Sequence, residues 1–424
     1  VLINVRGTGR RDLVLITLGG LVLRLLVIGD PGHVVDLRTF GQWALAVADN
    51  PWARAYEVTN ANYPPGALLI FELIGRTYRA LGLDDPLQLR VALKIPNIAF
   101  DCVGGLVLFA IAGRFVDQRR ALLAAAVYDL NPAIIYDSSL WGQNDSITSV
   151  SAMIAVWCVL CGRRVTAWVA LAFAVLNKPP VLVLAPLFAL EAWVVADARE
   201  RRRALIGTGL GLAAALVCGY LIALPFYTDR SVAGVYSRMI GWYTTGSSLY
   251  PFTSANAFNV YALGGDFFGP DTRPFFFVPL KYWADGAFIA IAALVCARYA
   301  AVRGRRTFVE AGFLIMLAFF LVLTEMHERY LVYGLAFVCA LAPLDRRYLW
   351  AAIGLTLTLW LNLEYSLSYM WIESDPPEGI DPNEFAPVLV HLCAAANIAI
   401  FGLAAQTYFR TPLRTVPGRL RDGP

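Results

Sequence analysis

What most constrains this chain is a rhythm. Apolar runs of roughly 16 to 24 residues recur from end to end, divided by short stretches rich in arginine. A helix crosses a hydrocarbon core of about 30 Å with about 20 apolar residues, so each run is about long enough to span a bilayer. In lipid every backbone polar group needs an internal partner, and at this run length only a helix supplies one. Composition agrees: 58% of the residues are hydrophobic and 16% are charged, with a mean hydropathy of +0.59. Soluble domains carry closer to a quarter charged residues. The chain therefore reads as an all-α polytopic membrane protein forming one integral domain over 1–424, with no internal repeat and no low-complexity linker.

The placement of charge says more than its net value of +4. Basic clusters fall at 6–11, 113–120, 162–164, 198–203, 298–306 and 345–347, and again after Arg410. Cytoplasmic loops retain Lys and Arg, so these segments are all expected inside. Threading the apolar runs between them gives spans near 12–29, 90–113, 120–137, 144–162, 165–178, 180–196, 204–225, 279–300, 307–324, 329–344, 348–364 and 386–407. That is a bundle of about 12 transmembrane helices with both termini cytoplasmic. The first span follows Arg10 and Arg11 without a small-residue cleavage site and reads as an uncleaved signal anchor. The seven cysteines all sit in or beside apolar runs, so no extracellular disulfide framework is expected, and Cys158 and Cys161 read as helix-packing residues.

The opposite side then carries two long loops, about 30–89 and about 225–278, and a shorter one at 364–386. In the first, "FGQWALAV" (40–47) and "YPPGALLIFELIGRTYRAL" (63–81) space apolar residues three and four apart. They read as amphipathic helices lying in the membrane interface, with Arg76 and Arg79 toward water or lipid phosphate and Pro64 and Pro65 at a helix start. In the second, "SSLYPFTSANAFNVYALGG" (247–265) has the aromatic and amide content of a sugar-stacking groove, or of an ordinary aromatic belt. Of 35 Lys and Arg only three are lysines, Lys94, Lys178 and Lys281, and all three fall at or just below this outer face. An ionisable residue in or at the rim of a span is a functional candidate, with snorkelling to headgroups as the plain alternative.

Two tight turns join them. "TEMHERY" sets Glu325, His327, Glu328 and Arg329 between apolar runs, and "SLWGQNDSIT" (139–148) makes a similar turn. A lipid phosphate arriving from the bilayer would meet Arg, Lys and His there, and both Arg and Lys bind phosphate well.

In order and placement these motifs resemble those of the GT-C fold glycosyltransferases. The nearest likeness is to bacterial relatives of the enzymes that use dolichyl-phosphate-glucose or -mannose. The resemblance covers nearly the whole chain. It rests on "VVDLRTFGQWA" (34–44), "NYPPG" (62–66), "LRVALKIPNIAFD" (89–101), "LNPAIIYDSSLWGQNDS" (130–146), "LNKPP" (176–180) and "MHERY" (326–330).

The resemblance implies a GT-C-like bundle that takes a sugar, mannose or another hexose, from a polyprenyl-phosphate carrier. The sugar would pass to an acceptor hydroxyl on the periplasmic face of a bacterial cytoplasmic membrane, inverting the anomeric centre. By position the catalytic acid falls on Asp36, acting as general base on the acceptor. Lys178, Arg329, His327, Arg90 and Lys94 would bind the donor phosphate. Asp145, Gln143, Trp141, Tyr63 and Glu325 would contact sugar or acceptor. The implied partners are the donor lipid, a glycan, glycolipid or protein acceptor, and membrane lipids, with no nucleic acid. No metal site is recognised and no cofactor is expected; Asp36 lacks the adjacent acid that many of these enzymes carry.

Plainer roles stand beside these. Asp36 could cap the helix that follows it, and His327 could make a structural hydrogen bond. Asp101 reads as a buried partner of Arg90, Lys94 or Lys178, Asn131 and Pro132 as a kink, and Asp137 as a cap on the 139–148 turn. A transporter or flippase of lipid-linked sugars is the alternative function, although such proteins place charge at the midplane and show internal repeats.

Overall fold

The computed structural model describes residues 8–246, 249–370 and 386–412. Among the described residues the apolar runs fold as helix, and the arginine clusters near 113–120, 162–164, 298–306 and 345–347 fall at or beside turns between helices. Local chemistry sets several of these starts. Asp117, Asp197 and Asp345 each precede a helix and accept from the backbone N–H of Arg120, Glu200 and Arg347. The arginine turns also meet one another. Arg120 donates to the Pro343 carbonyl at 2.9 Å, and Arg306 lies 3.9 Å from Asp345, so these turns share one end of the bundle.

Among the described residues four helices are long and apolar enough to cross a membrane: Pro86–Ala112, Ala198–Phe226, Leu280–Val302 and Pro387–Arg410. Three shorter apolar helices accompany them, Asp145–Leu160, Arg164–Asn177 and Pro179–Trp193. Several of the long helices keep their apolar side chains on the outside, among them Leu210, Leu216, Ile289, Leu294 and Leu403. Apolar faces of that extent are stable against lipid, and the chain is a helical membrane protein. The centre is built from Asp145–Leu160, Arg305–Val322 and Leu331–Leu341, buried nearly throughout, with Met153, Phe313, Leu317 and Val338 in one continuous core.

The two longer helices of the first loop, Val34–Asp49 and Pro65–Ala80, pack against each other with Phe40, Trp43 and Phe71 between them, joined through the short helical turns Trp52–Arg54 and Ala55–Thr59. Pro65 opens the second, where a missing N–H is harmless. Arg76 and Arg79 are exposed, paired with Glu72 and Asp49 respectively.

The second long loop departs from its reading. It contains a helix, Val232–Gly246, whose apolar Val232, Val235, Tyr236 and Met239 already carry the three-and-four spacing. The 253–259 segment is fully buried, so the middle of the supposed groove is packing, while Leu249, Tyr250 and Val260 stay exposed. In the 364–386 loop, helix Arg346–Tyr365 runs on through a turn at Ser366–Met370, and 371–385 lie outside the described residues.

Candidate active site

At the other end of the bundle four turns converge. The first begins at His33, whose Nδ1 accepts the Asp36 N–H at 3.1 Å and so caps helix Val34–Asp49. A capping side chain sits ahead of the first turn, so the capping role considered for Asp36 belongs to His33, and Asp36 is left within the turn. The His33 ring stacks on Trp141, centroids 4.8 Å apart and planes 4° apart. Burial lowers the His33 pKa, which favours the neutral ring.

The second turn brings two donors to Asp36. The Asp137 carbonyl accepts from Gly142 N and Gln143 N at 3.1 and 3.0 Å, folding the chain back after Tyr136–Trp141. Gly142 makes this possible: its φ is 90°, and a Cβ there would run into Leu37. Trp141 Nε1 then donates to Asp36 Oδ2 at 3.0 Å, and Gln143 Nε2 donates to the same oxygen. Asp36 Oδ1 accepts no hydrogen bond among the described residues, and the side chain is 24% exposed. Burial pushes this carboxyl up, but the Arg329 cation, the Trp141 N–H and the Lys178 cation outweigh it and hold it below the ordinary carboxylate value.

The third turn follows from proline. Pro179 disfavours the helical conformation for the residue before it, so helix Arg164–Asn177 stops and Lys178 is extended at φ −148°. Its ammonium donates to Asp145 Oδ2 at 2.7 Å and Gln143 Oε1 at 3.1 Å. Asp145 opens helix Asp145–Leu160, where the helix dipole favours its charge, and Tyr333 donates to its other oxygen. The Tyr63 hydroxyl donates to Gln143 Oε1 at 3.4 Å, and its ring lies 5.4 Å from the Lys178 ammonium. Gly66 allows that approach, since a Cβ there would meet the Leu176 carbonyl.

The fourth turn supplies Arg329 and His327. Arg329 Nη1 pairs with Glu328, while Nε lies 3.6 Å from Asp145 Oδ2, buried and without a hydrogen-bond partner. The His327 backbone bridges Ala255 and Asn256, and its ring packs 4.8 Å from Tyr250 and 5.3 Å from Tyr330. Burial and the Arg329 charge hold its pKa well below the ordinary histidine value.

Asp36, Tyr63, Trp141, Gln143, Asp145, Lys178 and Arg329 thus form one polar cluster, with His327 at its edge. Three expected members lie elsewhere. Lys94 donates to the carbonyls of Ile28 and Asp30 at 3.1 and 2.7 Å, so its charge is used in tying down the turn ahead of His33. Arg90, one turn earlier on the same helix, makes none of the cluster's hydrogen bonds. Glu325 turns away at φ 64° and faces Asp271; burial and that neighbouring carboxylate push it up to about 8. Asp101 pairs with Arg24 at 2.9 Å, not with Arg90, Lys94 or Lys178. Asp137 shapes its turn through its carbonyl, and both of its carboxylate oxygens are buried without a partner.

The reading from sequence did not assign His33, Glu328, Tyr333 or Tyr250 to the site. His33 carried a signal, a scarce histidine three residues before Asp36, while Tyr333 resembles any tyrosine in an apolar helix. Among the described residues no three His, Cys, Asp or Glu side chains are placed to hold a metal ion.

The chain superposes on the archaeal oligosaccharyltransferase AglB from Archaeoglobus fulgidus, solved with an inhibitory peptide and a dolichol-phosphate. The TM-score is 0.50 at 13% identity, with 95% of this chain covered. This is a GT-C fold. The apo form of the Archaeoglobus fulgidus oligosaccharyltransferase gives a TM-score of 0.49 at 12% identity, again over 95% of this chain. The chain spans 56% of the length of these proteins. No protein-family model and no curated protein matches the sequence.

Proposed function

We propose that this GT-C protein is an inverting glycosyltransferase that moves a sugar, mannose or another hexose, from a polyprenyl-phosphate carrier to an acceptor hydroxyl. One observation carries the reading. Asp36 has one oxygen fixed by Trp141 and Gln143 and the other open, within a cluster whose cations include a guanidinium N–H without an acceptor. A hydroxyl is a poor nucleophile until its proton is taken. Asp36 Oδ1 accepts that proton as the acceptor oxygen bonds to the sugar C1, and the bond from C1 to phosphate oxygen breaks on the opposite face. General-base help of this kind contributes about 10²–10⁴ in rate.

Polyprenyl phosphate departs as an anion, and Lys178 and Arg329 stand to stabilise its developing charge. Tyr63, Trp141, Gln143 and Asp145 hold the sugar or the acceptor. With one base and no nucleophile, a single displacement inverts the anomeric centre. The dolichol-phosphate bound to AglB supports a lipid-phosphate ligand for this fold. In the full proposal about 12 helices cross a bacterial cytoplasmic membrane, the termini are cytoplasmic and the cluster faces outward. The acceptor is a glycan, a glycolipid or a protein.

The test is an assay of the purified protein with radiolabelled polyprenyl-phosphate-mannose and -glucose and a crude membrane-lipid acceptor. Transfer from either donor, with the product anomer inverted, is the expected result. Tight binding of polyprenyl phosphate with no transfer from either would overturn it in favour of a flippase of lipid-linked sugars.

A further inference from the structure

The segment 273–283, "RPFFFVPLKYW", takes no part in the cluster and has an unusual build. Pro274–Phe275 and Val278–Pro279 pair as a minimal antiparallel hairpin, leaving Phe276 and Phe277 as its two-residue turn. Both turn residues have positive φ, 45° and 65°. Such turns favour Asn-Gly or Asp-Gly, because a bulky side chain in the left-handed region is disfavoured. The sequence places phenylalanine at both positions and exposes them, Phe276 at 73% and Phe277 at 99%. Each choice opposes folding in water twice, through backbone strain and through exposed aromatic surface.

The surroundings indicate what covers them. The hairpin leads directly into Leu280–Val302, one of the four membrane-length helices, with exposed Ile289 and Leu294 along it. It folds back beside that helix: Trp283 Nε1, in the first turn, donates to the Phe275 carbonyl at 2.8 Å. Tyr282 and Trp283 are themselves exposed, and the Lys281 ammonium lies 5.6 Å over the Tyr282 ring, the mix of groups found at a membrane interface. The hairpin thus packs on the start of this membrane-length helix, with its apolar tip exposed beside the exposed Tyr282 and Trp283. We infer that this hairpin is a membrane wedge, its Phe276–Phe277 tip inserted among the acyl chains of the adjoining leaflet.

A ladder of backbone hydrogen bonds ties the wedge to the cluster. Leu280 N and Lys281 N donate to Arg273 O and Asp271 O, Asp271 N to Pro251 O, and Glu325 N to Phe252 O, two residues before His327. The wedge therefore fixes the depth of the 325–330 turn relative to lipid phosphates, a consequence that rests on the function proposed above.

Insertion is tested without any assay of transfer. A benzophenone amino acid replaces Phe277 in the full chain, reconstituted in phospholipid nanodiscs, with the same group at Leu294 as the lipid-facing reference. After irradiation the tip peptide should carry acyl-chain adducts, as the Leu294 peptide does. Adducts at 294 but none at 277, or cross-links from 277 to a second protein chain, would overturn the wedge. A double variant, Phe276→Asn with Phe277→Gly, supplies the residues the turn favours. It should keep or raise its melting temperature in detergent, yet lose transfer several-fold with long-chain membrane donors while keeping it with short soluble ones. Loss with both donor types alongside lipid adducts at 277 would leave the wedge standing and break its link to the site.

Discussion

Two of the buried charge clusters in this bundle differ in their carboxylates: one has both oxygens in use, the other keeps one open. In the first, Arg24 bonds Asp101 Oδ2 at 2.9 Å and the carbonyls of Gly20 and Asp129, while Tyr128 donates to the other Asp101 oxygen at 3.1 Å. Arg24 and Asp101 are 1% and 0% exposed, and Asp101 has both oxygens in use. In the second, Lys178 is equally well held by Asp145 and Gln143, and Arg24 and Arg329 each keep one buried N–H without a partner, yet here Asp36 keeps an open, partly exposed oxygen. Satisfied networks fix structure, whereas groups held in place with unused capacity can act on a ligand. The pairing of opposite charges alone does not separate the two; the open, solvent-reachable carboxylate oxygen of Asp36 does.

That contrast can be broken from either side. Asp101→Asn removes one partner of a closed buried pair and is expected to cost about 3–5 kcal/mol of stability. The readout is melting in detergent, with transfer per folded molecule unchanged. Lys178→Gln also breaks a buried pair, with Asp145, and should lower the melting temperature too, but unlike Asp101→Asn it should cut transfer per folded molecule by about 10²–10³ through lost charge stabilisation. Equal effects of both variants on both readouts would erase the distinction.

The smallest effect concerns Glu325, outside both clusters. Burial and Asp271 raise its pKa from 4.5 to about 8, so over that range the folded protein holds a proton that the unfolded chain releases. Its contribution to stability is complete below the ordinary carboxylate value and is lost as pH rises through about 8. Melting temperature should decline over that window in the wild type, and Glu325→Gln should flatten the decline.

The helices were legible in the sequence because apolar length and arginine punctuation are local signals. So was the convergence of Asp36, Gln143, Asp145, Lys178 and Arg329, since each sits beside a proline, a glycine or an apolar boundary that marks a turn. What escaped depends on tertiary approach. Asp101 has basic residues at 90 and 94 on its own helix, yet its partner is Arg24, 77 positions away. Lys94 and Arg90 resembled site cations because both open a span, but Lys94 is engaged by carbonyls that no spacing reveals. Helix Val232–Gly246 passed for loop because serine, arginine and threonine dilute its apolar spacing.

The central claim is that Asp36 serves chemistry and not the fold. The measurement that tests it most directly is transfer and melting, side by side, for the wild type and Asp36→Asn with the same polyprenyl-phosphate-sugar donor. The account predicts a loss of about 10²–10⁴ in turnover with donor binding and melting temperature nearly unchanged. Full turnover in the variant, or a loss of turnover matched by a loss of folded protein, would contradict it.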